Sequence, residues 1–157
     1  MVLYFAYGSN MLAERLRERC PSATFKTVAY ADDWAFFFSK ISKDGSGKAT
    51  LSPSDGERTY GVVYELDSSE LGKLDRAEGR GNGYERDDHF IVHDQNNIKI
   101  KVITYLAGQT LNPEEQPGAV AYLLLDLVYR LDYLLIPEGY SMEALERMHR
   151  MYFARED

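Results

Sequence analysis

The chain has 157 residues, 45% apolar and 27% charged, a balance that suits one globular domain spanning residues 1–157 with a core that needs no staples. A formal charge of −7, with Lys and Arg scattered among acids, excludes the basic footprint of a nucleic-acid binder. The single cysteine, Cys20, has no intrachain disulfide partner, and the N-terminus lacks the basic n-region and cleavable apolar stretch of a signal peptide, so a cytoplasmic protein is expected.

Val2 to Ala6 is a short apolar run that reads as a buried strand. It stops at Gly8-Ser9-Asn10, where Gly8 lets the backbone turn sharply and approach a ligand. Ser9 and Asn10 are helix-capping types, so a helix is expected to start near Asn10. Such a strand, turn and helix start aim backbone N–H groups and a helix dipole at one point, which suits a carboxylate or a developing oxyanion. An ordinary capped connection would show the same residues. Leu12, Leu16 and Cys20 then recur at four-residue steps with Glu14, Arg15, Arg17, Glu18 and Arg19 on the other faces, a short amphipathic helix stopped by Pro21. Cys20 lies on the buried stripe, as a small core residue rather than a nucleophile.

Thr24 to Ile41 is aromatic and β-branched with Asp32-Asp33 as a break, so it is one long bent strand or two. A polar loop over Ser42 to Lys48 leads to a brief strand Ala49-Thr50-Leu51, a Ser-Pro-Ser-Asp-Gly turn at 52–56, and a strand from Arg58 to Leu66. Asp67 and Glu70 have capping-box spacing and announce a helix that ends at Gly79, with Gly81 and Gly83 in the following loop. Tyr84 to Val92 and Ile98 to Leu106 are strands joined as a hairpin by Asp94-Gln95-Asn96-Asn97. From Pro117 helical patterns take over, Ala119 to Ile136 and then Met142 to Tyr152. Asp126, Arg130 and Asp132 interrupt the first, each costing about 2.5 to 3.5 kcal/mol at a bilayer centre, so it is a packed helix and no membrane span.

Glu78 lies seven residues from Leu71 and four from Leu74, inside the apolar stripe of its helix. It also sits in the last turn, where the dipole disfavours negative charge; both effects raise a carboxyl pKa towards the range useful for proton transfer. Asp75 on a neighbouring face is the rival carboxylate. The histidines suggest no metal site, since His89 and His93 on a strand stand about 13 Å apart at ~3.3 Å per residue and His149 has no ligand-spaced partner. Ser9 lacks a G-x-S-x-G elbow and a base oriented towards it.

Tyr4-Phe5-Ala6-Tyr7-Gly8-Ser9-Asn10-Met11 closely resembles the opening motif of the γ-glutamylcyclotransferase-like family, and Leu74-Asp75-Arg76-Ala77-Glu78-Gly79 resembles its second motif, a Leu-Asp-x-x-Glu-Gly. Lesser likenesses lie in Pro21-Ser22-Ala23, Gly61 to Tyr64, Tyr84, and Tyr105 on Ile103 to Leu106. Tyr122 resembles the tyrosine that opens the family's long helix, but Val128-Tyr129 stands where the family has a small Gly-Ala step, which reshapes one pocket wall.

The resemblance implies an α+β fold, a small mostly antiparallel β-barrel with helices packed outside. It implies an enzyme that releases 5-oxoproline from a small-molecule γ-glutamyl amino acid or γ-glutamyl amine. Glu78 would be the catalytic acid/base, and Tyr7, Gly8, Ser9, Asn10 and Met11 would hold the γ-glutamyl part. Tyr84, Tyr105 and Tyr122 would be pocket tyrosines, or else core or surface aromatics. Because the substrate's own α-amine closes the ring, neither cofactor nor metal is expected. The alternatives are the same reaction used to remove a γ-glutamyl protecting group in a biosynthetic pathway, and a non-enzymatic ligand-binding domain.

Overall fold

The computed structural model describes residues 1–41 and 47–108, with side chains described outside 38–48. The helices expected over 119–136 and 142–152, Tyr122, Val128, Tyr129, His149 and most of the 42–48 loop lie outside the described residues. Five strands form a closed barrel: β1 (Val2–Ala6), β2 (Thr24–Ile41), β3 (Gly47–Leu66), β4 (Tyr84–Asp94) and β5 (Lys99–Ala107), in the spatial order β1-β3-β2-β4-β5. Four junctions are antiparallel and β5 closes on β1 in parallel, Tyr4 opposite Ile103. Two helices complete the described part, α1 (Ala13–Arg19) and α2 (Leu71–Glu78), so the expected α+β barrel is the fold observed.

The alternation of β1 decides where everything else packs. Phe5 joins Ala29, Val63, Phe90, Val92 and Val102, one or more residues from each of the five strands, and so points into the barrel. Tyr4 and Ala6 point the other way, into a second cluster with Leu16 of α1 and Leu74 of α2. A strand buried on both faces reads as an unbroken apolar run, which is why Val2 to Ala6 carries no polar alternation.

The region expected to be a short strand, a turn and a further strand is instead one element, β3. Trp34 pairs with Pro53 and Asp32 with Arg58, so Ser54 to Glu57 bulge out opposite Asp33. Asp33 and Gly56 both have positive φ, 61° and 79°, and the Gly56 N–H donates to Asp33 Oδ1 at 2.9 Å. The turn residues are genuine, but continuous pairing with β2 on either side converts the turn into a bulge. The Asp94–Asn97 hairpin forms as expected, with Asp94 Oδ1 accepting from the N–H groups of Asn96 and Ile98 at 2.8 and 2.9 Å.

Two local expectations change. Ser9 to Met11 forms a single 3₁₀ turn, α1 begins only at Ala13, and neither Ser9 nor Asn10 caps it. The Asp67/Glu70 capping box is also opened. Asp67 accepts from the Ser69 N–H, but the Asp67 N–H donates to Ser22 Oγ at 2.8 Å, and Glu70 accepts from the hydroxyl and N–H of Ser22. A residue from the loop after α1 has taken the place of the reciprocal bond.

Gly61 shows how tightly β1 and β3 approach. A Cβ there would lie 2.4 Å from Ala6 O and 2.6 Å from the Phe5 ring, too close for either backbone or buried ring to yield. Gly61→Ala is therefore expected to lower stability by about 1 to 3 kcal/mol, read as a lower urea midpoint at unchanged m-value.

Candidate active site

The first motif brings Tyr4 and Asn10 to one place, the end of α1 brings Arg19, and the end of α2 brings Glu78. Asn10 is buried, 3% exposed, and its amide is bonded on both sides. Its Nδ2 donates to Glu78 Oε1 at 2.6 Å and to Tyr4 Oη at 3.1 Å. Its Oδ1 accepts from Arg19 Nη1 at 2.8 Å, and the same nitrogen reaches Glu78 Oε1 at 3.2 Å. A buried amide with both ends in use has one orientation, and the cost of burying it is offset by those bonds. This is why Asn10 turns inward and does not cap α1.

Glu78 is aimed by the way α2 ends. Gly79 takes the left-handed conformation, φ 78° and ψ 35°, while the Gly79 N–H donates to Arg76 O at 3.3 Å and the Arg80 N–H to Asp75 O at 2.9 Å. This Schellman closure keeps Glu78 on the helix, and with Leu74 buried beneath it the carboxylate is directed at the first motif. Asp75 has different partners. Its Oδ1 accepts from Tyr105 Oη at 2.7 Å and from Arg86 Nη1 at 2.9 Å, and its Oδ2 from Arg80 Nη1 at 2.9 Å. Partial burial opposes ionisation of Asp75, but the Tyr105 hydroxyl and the two guanidinium groups outweigh it and hold the carboxyl below the usual range.

The profile of the family described as "Gamma-glutamyl cyclotransferase, AIG2-like" matches residues 4–123. The chain belongs to this family. It is 37% identical over 125 residues to the gamma-glutamylcyclotransferase of Bos taurus, across 76% of this chain and 65% of that protein. It is 42% identical over 86 residues to that of Homo sapiens, across 52% and 46%. The chain thus spans between about half and two thirds of the curated relatives it matches. A solved structure titled "Gamma-glutamyl cyclotransferase" superimposes with a TM-score of 0.75 at 28% identity, covering 94% of this chain and 86% of that one.

Of the residues that the family resemblance singles out, Asn10 and Glu78 are in direct contact. Gly8 and Tyr84 meet at Ala49 of β3: a Cβ on Gly8 would rest 3.6 Å from the Ala49 Cβ, and Tyr84 Oη donates to Ala49 O at 2.9 Å. The Tyr7 hydroxyl donates to Tyr105 O, and the Tyr105 hydroxyl to Asp75. Met11 packs its side chain with the core beside Leu16, and its carbonyl accepts from Tyr64 Oη at 2.6 Å. Burial pushes the Tyr64 hydroxyl up to about 12, so it remains a donor there. Ser9 is half-buried in the 3₁₀ turn.

Arg19 and Tyr4 are the neighbours that sequence reasoning missed. Arg15, the basic residue nearest in sequence to the first motif, is exposed, whereas Arg19 reaches the site. The signal was present: Arg19 lies three residues after Leu16 and seven after Leu12, on the buried face of α1 and not on one of the others. Cys20 is buried with a thiol pushed up by burial, in keeping with a core role. Among the described residues no group of His, Cys, Asp and Glu could hold a metal ion, and no helix is long and apolar enough to cross a membrane.

The Asp75 network makes a pH-dependent prediction. A carboxyl lowered on folding stabilises the protein above its unfolded value of about 3.9, and that contribution is lost as pH falls through the lower folded value. Asp75→Asn should cost about 1.5 to 3 kcal/mol at pH 7, with the gap from the parent closing below about pH 4 in urea titrations.

Proposed function

We propose that this chain is a cyclotransferase that releases 5-oxoproline from a γ-glutamyl amino acid or γ-glutamyl amine, with Glu78 as acid and base. The observation that carries this reading is the 2.6 Å bond between Asn10 Nδ2 and Glu78 Oε1, because it unites the two family motifs, 68 residues apart, in one spot. Family membership and the named relatives support the reaction class.

In this reading Glu78 takes a proton from the substrate's α-ammonium. The freed amine attacks the γ-carbonyl, so the new N–C bond closes a five-membered ring; the old C–N bond breaks as Glu78 returns its proton to the leaving nitrogen, and the second proton that the ring nitrogen must shed leaves with the released amine, which departs as an ammonium. Ring closure within one molecule needs correct folding of the substrate more than a strong nucleophile. One carboxyl can serve both proton transfers because the first leaves it protonated for the second. Asp75 suits this role less well, since Arg80, Arg86 and Tyr105 occupy its oxygens. The Gly8–Met11 backbone is the proposed anion site for the substrate carboxylate or the oxyanion. The N–H groups of Met11 and Leu12 close the turn on Gly8 O and Ser9 O, so the ligand donors would come from its opening residues.

The test is incubation with a panel of γ-glutamyl compounds, reading 5-oxoproline by mass spectrometry. Glu78→Gln keeps a hydrogen bond but cannot carry the proton, and turnover should fall about 10²-fold or more with the fold intact. Activity within a few-fold of the parent would remove Glu78 from the mechanism. Gly8→Ala separates ligand contact from backbone strain: φ at Gly8 is −120° and the added Cβ has ordinary contact distance, so stability should be unchanged. A loss of turnover at unchanged melting temperature then reports a substrate that approaches Gly8, and unchanged kinetics would place the anion elsewhere.

A further inference from the structure

We infer that Arg19 is the positioning residue of the site, the group that fixes where the Glu78 carboxylate points; this rests on the reading of Glu78 as proton shuttle. One guanidinium nitrogen, Nη1, serves Asn10 Oδ1 at 2.8 Å and Glu78 Oε1 at 3.2 Å. The two acceptors are themselves joined through Asn10 Nδ2, so arginine, amide and carboxylate form a closed triangle. Any rotation of Glu78 away from its present aim breaks two bonds at once. The side chains of Arg19 and Glu78 are 27% and 22% exposed, so their attraction is only partly screened by water.

The other groups around Glu78 do not supply this. Tyr4 and Tyr7 from the first motif and Tyr105 from β5 are neutral hydroxyls, raised above their ordinary value chiefly by burial and in part by the charge of Glu78. Cys20 from the end of α1 is a neutral thiol raised in the same way. Asp75, on the same helix as Glu78, is engaged by Arg80 and Arg86. Arg19 brings a positive charge on a planar group whose donor directions are fixed, and lysine at this place would keep the charge but on a flexible stem with rotating donors. Nη1 meets both Asn10 and Glu78, which is the geometry of a positioning role.

The test uses the full chain and its Arg19→Gln, Arg19→Lys and Glu78→Gln variants. Two measurements are made: kcat and KM against pH on a γ-glutamyl compound that the parent turns over, and a ¹³C NMR titration of the glutamate carboxyls with Glu78 assigned by its loss in Glu78→Gln. In Arg19→Gln the Glu78 midpoint should rise by about one pH unit or more, and kcat should fall about tenfold with KM within about threefold. Arg19→Lys should recover most of the titration shift and only part of kcat. If Arg19→Gln does not fold, Arg19→Lys carries the test, and a kcat equal to the parent's overturns the inference. An unmoved midpoint, or a raised KM at parental kcat that marks a substrate anchor, also overturns it. An active Glu78→Gln overturns the shuttle reading and this inference together, whereas an inactive Glu78→Gln beside an unmoved Arg19→Gln titration overturns this inference alone.

Discussion

The buried amide of Asn10 is the interaction on which the site depends. It sits where three separate pieces of chain end: the loop after β1, the last turn of α1 and the last turn of α2. Each piece contributes one polar group, and the amide is the one partner that can accept from Arg19 while donating to Glu78 and Tyr4. A half-satisfied network in this position would cost more than an apolar filling, so the three ends are held in mutual register.

The short helix α2 is tied to the same stretch of chain at both its ends. Before its first turn, Ser22 binds Glu70 and the Asp67 N–H; at its last turn, Asn10 and Arg19 bind Glu78. Eight residues span about 12 Å, and a helix this short has little stability alone. Its order comes from Leu74 in the core, from these two polar attachments and from the bonds of Asp75 to Arg86 and Tyr105 of the barrel. The segment from Asn10 to Ser22 therefore brackets α2 at both of its ends.

Two carboxylates three residues apart on one helix have been given different surroundings. Their side chains are similarly exposed, 18% for Asp75 and 22% for Glu78, so burial does not separate them. Partners do. Asp75 turns towards β4 and β5 and is taken up by Arg86 and Tyr105, which ties α2 to the barrel. Glu78 turns towards α1 and the first motif. One residue thus fastens the helix and the other is presented by it.

Local chemistry in the sequence by itself determined the faces that the elements bury and some of their ends, though not the start of α1 or the continuity of β3. The apolar run of β1, the Asp94–Asn97 hairpin, the stop at Gly79 and the inward aim of Glu78 all follow from patterns within seven residues, as did the resemblance carried by the two motifs. Tertiary structure alone decided which polar groups meet. Arg19 lies 59 residues from Glu78, Ser22 lies 48 from Glu70, and continuous pairing with β2 overrode a well-formed turn signal at 52–56. The physical reason is that side-chain periodicity reports which face leaves water, whereas a hydrogen-bond partner is chosen by the register in which distant elements pack. Barrel closure sets that register, and it is a property of the whole chain.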